Sequence, residues 1–198
     1  MDCGFHLLTR RPSNCMTRLI IVTGAAGFGK TKLISALVSK SVQAGVCPVG
    51  FLSIGQGRSA GQAESFDLVP LPAGERVLLA HRYQDLGGPR VGHFSFSTAA
   101  IAAGQEILHQ AALQRVTLLI ADEIGPLELL QQQGFTAIFP AISAGPLTAV
   151  VAIRQSLINT FLERSGLPAY LVISASDPAA DSALWEAIDS SRSALAES

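Results

Sequence analysis

Gly24-Ala25-Ala26-Gly27-Phe28-Gly29-Lys30-Thr31 fits the pattern GxxxxGK[ST], and the rest of the chain organises around it. Glycines let the backbone take conformations that a side chain would block. Successive N–H groups can then turn inward and cradle phosphate oxygens. The positive end of the following helix adds roughly half an elementary charge. Lys30 is expected to reach the β- and γ-phosphates, and the Thr31 hydroxyl to ligate Mg²⁺. The nucleotide-binding set runs over Gly24, Ala25, Ala26, Gly27, Phe28, Gly29, Lys30, Thr31 and Lys32. The context matches the motif's requirement. The β-branched run Leu19-Ile20-Ile21-Val22-Thr23 precedes it and reads as a buried strand. A helix follows, with Leu33, Ala36, Leu37 and Lys40 on one face, ending at Gly45. Only three lysines occur (Lys30, Lys32, Lys40), which argues against a chance match at the one position that demands lysine.

Asp122-Glu123 is the second chemical element. The apolar strand Val116–Ala121 delivers both acids at its C-terminal end, where open α/β sheets bind ligands. Asp122 suits the Walker B role of holding Mg²⁺. Glu123 is placed to orient an attacking water or accept its proton.

Between these two elements, Pro48–Ser53 reads as a strand. Phe66–Leu71 and Arg76–His81 alternate and are joined by Pro72-Ala73-Gly74, a hairpin signal. Gly87-Gly88-Pro89 reads as a further turn and Val91–Phe96 as a third strand, making about 55–96 an antiparallel insertion. Ser97 or Thr98 caps a helix to Gln114, with Ile101, Ile107, Leu108, Ala111 and Ala112 as its stripe. Helices over Phe135–Ser143 and Ser156–Ser165 flank a strand at Thr148–Ile153. Tyr170–Ser174 is a last strand. Asp177-Pro178 opens a final helix bearing Ala180, Leu184 and Ile188. Strands alternating with helices define an α/β fold of the P-loop type, a mostly parallel sheet with helices on both faces and an antiparallel hairpin insertion. Residues 17–198 are expected to form one domain, with 1–16 a disordered tail.

Composition narrows the function classes. Charged residues are 15% of the 198, against the usual ~25%. Net charge is −1, with no basic excess for a nucleic-acid backbone. Mean hydropathy is +0.38, yet no apolar run approaches the ~18–20 residues that cross a bilayer. Three cysteines (Cys3, Cys15, Cys47) lack metal-ligand spacing, which fits a reducing cytoplasm.

Asp122-Glu123-Ile124-Gly125-Pro126-Leu127-Glu128-Leu129 resembles the DEIGPxEL signature of the small P-loop nucleoside-triphosphatases first described in thermophiles, known in animals as the cancer-related nucleoside-triphosphatase. Val49-Gly50-Phe51, the Phe66–His81 hairpin and Val91-Gly92-His93-Phe94 are similar to further family elements. The resemblance spans roughly residues 18–175. It implies slow Mg²⁺-dependent hydrolysis of nucleoside 5′-triphosphates (ATP, GTP and others) with loose base preference. The loop would bind phosphate, Asp122 Mg²⁺, and Glu123 would activate water. The chain departs from the family pattern at Ala26, where proline is common, at Lys32, where Ser or Thr is common, and at Ala63-Glu64-Ser65-Phe66, where an Arg-x-Gly-aromatic element is expected.

A cation for transition-state charge is sought among Arg58, Arg82, Arg90 and Arg154. Arg154 is the most attractive, since it follows Thr148–Ile153 at the same sheet edge. Glu128 is expected to cap or brace its loop. Phe28 could pack on the sheet or lie near the base, with packing the expectation, Trp185 is expected to pack in the core, and His81, His93 and His109 show no metal spacing. No Asn/Thr-Lys-x-Asp element exists, so guanine specificity lacks its reader. Two other functions fit the same loop: a small-molecule or nucleoside kinase with 55–96 as acceptor site, and a nucleotide-dependent switch.

Overall fold

The structure is a computed structural model that describes residues 17–196 except 26, 58–61, 73, 115 and 146, with side chains described to residue 190. The expected tail, Ala26, Arg58 and Ala73 therefore lie outside the described residues. One nine-stranded sheet runs through the molecule, in the order β5-β6-β4-β3-β2-β7-β8-β1-β9. Its parallel part comprises β1 (Arg18–Thr23), β2 (Pro48–Gln56), β7 (Leu118–Ile124), β8 (Thr148–Ile153) and β9 (Ala169–Ser174). The antiparallel part comprises β3 (Ser65–Leu71), β4 (Val77–His81), β5 (Gly87–Val91) and β6 (Phe94–Ser97).

Helices cover both faces. On one, α1 (Lys30–Gln43) and α6 (Ala180–Ala196) pack Ile34, Leu37, Leu184 and Ile188 against Ile20, Val22, Ile120 and Val150. On the other, α2 (Thr98–Gln114), α4 (Ile138–Ser143) and α5 (Ile158–Ser165) pack Leu108, Ile142 and Phe161 against Leu19, Ile21, Leu119 and Val151. Strands β1, β7 and β8 are apolar on both faces for this reason. The short α3 (Pro126–Leu129) follows β7. Among the described residues no helix is long and apolar enough to cross a membrane.

Several expectations shift. The inward face of α1 is Lys30, Ile34, Leu37 and Ser41, while Ala36 is exposed. The helix enters from the loop with Lys30 already turned inward, and positions four, seven and eleven residues on must share that face. Gly87-Gly88-Pro89 is not a turn. It lies in β5, an edge strand where proline costs no ladder bond. The turn falls at Gly92-His93, and β5 and β6 make a second hairpin where one strand was expected. Strand β2 runs to Gln56, because β3 pairs with it beyond the end of its parallel neighbour. The stripe of α2 is Ala100, Gly104, Leu108 and Ala111, with Ile107 and Ala112 only half-buried. Helix α4 starts at Ile138, since the Phe135 and Ala137 amides are taken by the Glu128 and Gln105 side chains. A 3-10 turn at Gln155–Leu157 precedes α5. Helix α6 is regular from Ala180, and Asp177 Oδ1 accepts from the Ala179 amide just ahead of it.

Gly50 on β2 has φ +130°, and a Cβ there would sit 1.9 Å from the Ile120 carbonyl oxygen on β7. Backbone strain and the clash add, so Gly50→Ala should lose at least about 3 kcal/mol. A urea unfolding midpoint equal to wild type would contradict this packing.

Candidate nucleotide-binding and catalytic site

The loop between β1 and α1 is shaped by glycine. Gly27 and Gly29 have φ of 79° and 92°, and Gly29 caps α1 with no side-chain bond to its first-turn amides. Those amides remain available to an anion. Lys30 is buried to 5% exposure, and its Nζ donates to the carbonyls of Gly24 (3.0 Å) and Ala25 (3.3 Å). Thr31 is half-buried on the first turn of α1, and Lys32 is exposed. Phe28 does not pack as expected, since it is 65% exposed.

Strand β7 carries Asp122 and Glu123 within its length, ending at Ile124, three residues past the expected end at Ala121. The register with β8 shifts between Ala121 and Ile124, and the Asp122–Glu123 peptide is cis. Asp122 is 1% exposed, and neither carboxylate oxygen has a hydrogen-bond partner of ordinary geometry. Burial pushes its pKa up to about 7, against the pull of the Thr31 hydroxyl; Glu123 adds to the rise, while the Ser53 backbone and Lys30 oppose it. Buried polar atoms rarely stay unpaired. A carboxylate with two open oxygens near a threonine hydroxyl and a phosphate cradle has the donor chemistry Mg²⁺ takes, one or two protein oxygens with phosphates completing the shell.

Glu123 is half-buried and sits between two cations. Its Oε2 lies 3.8 Å from Lys30 Nζ, and its Oε1 accepts from Arg154 Nε at 3.1 Å. Arg154 follows β8, as expected, and β8 lies between β7 and β1. The structure thus brings Lys30, Thr31, Asp122, Glu123 and Arg154 together. Arg82 and Arg90 stand apart. Arg82 lies over the Phe94 ring and Arg90 pairs with Asp85, both on the antiparallel side. Arg82 follows β4, five strand positions from β1, or roughly 24 Å at the usual spacing.

Glu128 braces the acidic pair. Its buried carboxylate accepts from the Gly125 and Phe135 amides, each at 2.9 Å. Burial raises its pKa, and those two bonds oppose the rise. Arg164 on α5, absent from sequence reasoning, donates to the Glu128 and Leu129 carbonyls while stacking on Phe139. Nothing local in the sequence couples residue 164 to residue 128. His81 Nδ1 accepts from the Tyr83 and Gln84 amides, His93 and His109 are exposed, and Trp185 is half-buried beside α6's inner face. Ala63-Glu64-Ser65-Phe66 serves sheet pairing, with the Glu64 amide on the Gln56 carbonyl and Ser65-Phe66 opening β3.

Asp122 also makes a stability prediction. A folded pKa near 7 against 3.8 means that the folded state binds the extra proton. The resulting stability is fully present below pH 4 and drains away as pH rises towards and through 7, by about 4 kcal/mol. Metal-free melts should show Asp122→Asn gaining on wild type across pH 5–8. A constant difference over that range would contradict the buried, unpaired carboxylate.

A phosphate loop after β1, an acid pair on β7 and the strand order between them place the chain among the P-loop NTPases. The family model described as NTPase matches residues 19–176, so the chain belongs to that family, and by family it is an NTPase. The nucleoside-triphosphatase THEP1 of Caldivirga maquilingensis is 28% identical over 153 residues, 77% of this chain and 85% of the relative. Two solved structures share the fold. The crystal structure of THEP1 from Aquifex aeolicus has a TM-score of 0.63 at 19% identity, over 87% of this chain and 96% of that one. The solution structure of a human cancer-related nucleoside triphosphatase has a TM-score of 0.57 at 20% identity, over 89% and 98%.

Proposed function

We propose that the protein hydrolyses the β–γ bond of nucleoside 5′-triphosphates, giving diphosphate and phosphate, with Mg²⁺ required and little preference among bases. The observation that carries this reading is the buried Asp122 carboxylate, open at both oxygens, beside a phosphate loop and next to Glu123. Thr31 and Asp122 would hold Mg²⁺, directly or through water. Mg²⁺ supplies neutralisation of the β- and γ-phosphate charge. The loop amides from Gly24 to Thr31 bind the phosphates. Lys30 leaves its loop carbonyls to meet the γ-phosphoryl oxygens. Glu123 orients the attacking water and accepts its proton. Arg154, already at Glu123, approaches the same phosphoryl group as charge spreads over it. Lys32, exposed one residue past the motif, stands at the phosphate entrance.

Residues 17–198 act in this reading as one domain with 55–96 inserted into it, working in the cytoplasm. Nucleoside triphosphates are the partners, and neither nucleic acid nor membrane is needed. The test is phosphate release from the eight common NTPs and dNTPs with Mg²⁺ and no acceptor. Release from most of them, stopped by EDTA, is expected. Turnover that begins only when a hydroxyl acceptor is added would replace this reading with a kinase.

A further inference from the structure

The sheet alone does not fix where the Glu123 carboxylate stands. The ladder pairs Ala121 with Val151 and Ile124 with Ile153, and its register shifts between them, where Asp122 and Glu123 lie. Arg154 reaches Glu123 from a half-exposed side chain. An ion pair so placed contributes little by itself, so its geometry has to come from the backbones that carry it. Those backbones leave the sheet as α3, after β7, and as the 3-10 turn and α5, after β8. Arg164 ties the two together. It stands in the last turn of α5, and its Nη1 donates to the carbonyls of Glu128 (2.9 Å) and Leu129 (3.1 Å). These are the last two residues of α3, whose carbonyls have no donor further along so short a helix. The guanidinium itself lies 4.9 Å from the centre of the Phe139 ring on α4.

We propose that Arg164 is a positioning residue for Glu123, acting through α3. This deepens the nucleotide reading and rests on it. The path is continuous. From the carbonyls that Arg164 holds, it passes to the Glu128 carboxylate, whose Oε2 accepts from the Gly125 amide, two residues from Glu123. On the other side, Arg154 leads into the 3-10 turn, where the Leu157 amide donates to its carbonyl at 2.9 Å, and α5 runs on from there to Arg164. Leu157 and Phe161 anchor this stretch in the core. One packed helix therefore starts beside the partner of Glu123 and ends on the segment that carries Glu123. Arg164 closes the ring, and the carboxylate is kept between Lys30 and Arg154. Phosphate binding belongs to the loop after β1, so loss of Arg164 should slow the chemical step and spare nucleotide affinity.

Steady-state phosphate release from Mg²⁺–ATP tests this, with folded protein counted by stoichiometric binding of a non-hydrolysable ATP analogue. Arg164→Ala should lower kcat by about 10- to 100-fold with KM unchanged, the scale on which a misplacement of ~1 Å is felt. Arg164→Gln, too short to reach α3, should match it, and it carries the test if the alanine variant does not fold. A single nitrogen makes both bonds, so the point donor of Arg164→Lys should recover most of kcat. In a Glu123→Gln background Arg164→Ala should cost far less than in wild type, because the group it acts through is already disabled. An unchanged kcat in the alanine or glutamine variant overturns the proposal and leaves the phosphate site standing. The same fold-loss in both backgrounds, or no recovery with lysine, overturns it as well. A wild type that neither binds the analogue nor releases phosphate overturns it together with the nucleotide reading.

Discussion

Lys30→Ala is expected to lower kcat/KM for Mg²⁺–NTP hydrolysis by ~10²–10³, the usual loss when one aimed donor is removed from a developing oxyanion. The lysine is the sole cation of the loop turned inward, docked on the Gly24 and Ala25 carbonyls and 3.8 Å from Glu123. Alanine keeps the backbone cradle and the helix but leaves the phosphoryl charge without that donor. Two secondary effects follow. The Glu123 carboxylate keeps only Arg154, and Asp122 loses one of the influences that hold its pKa down. Alanine also suits the first turn of α1, so the circular dichroism spectrum should be unchanged. Steady-state kinetics on folded variant decides the matter. Turnover equal to wild type removes the loop from the mechanism.

Glu123→Gln is expected to cut kcat by ~10²–10⁴ with KM little changed, the span associated with a general base. Glutamine preserves the shape and can still accept from Arg154, but it cannot take a proton from water. Nucleotide should accumulate on the variant, since the binding groups are elsewhere. Removing a negative charge beside Asp122 also takes away one cause of its raised pKa. Mg²⁺ should therefore compete more easily with the proton there. Single-turnover chemistry at the wild-type rate with weakened binding would assign Glu123 to the metal or phosphate instead of the water.

The chemical core was legible because it is local. A glycine-rich turn after an apolar strand and two acids ending another are short patterns with strict physical requirements. Arg154 could be placed beside them because the end of one parallel strand neighbours the end of the next. Its pairing with Glu123 could not, since that depends on which strands are adjacent, and adjacency is not written in a single segment. The same limit hid Arg164, which reaches Glu128 across two elements. Gly87-Gly88-Pro89 misled because residues that mark turns are also tolerated on a sheet edge. The face of α1 was misread by one position, because an inward lysine set the phase where an apolar residue normally does. Phe28 was expected inside because apolar residues usually are, and its exposure is legible only in three dimensions.

In the proposed mechanism Asp122 and the phosphate loop meet through one divalent ion. Mn²⁺ can replace Mg²⁺ as an electron-spin probe, titrated into the protein with and without the non-hydrolysable ATP analogue. Wild type should hold a single tight Mn²⁺ only when the analogue is present, and Asp122→Asn should lose it. Tight Mn²⁺ that persists in Asp122→Asn, or that ignores the analogue, would contradict the account.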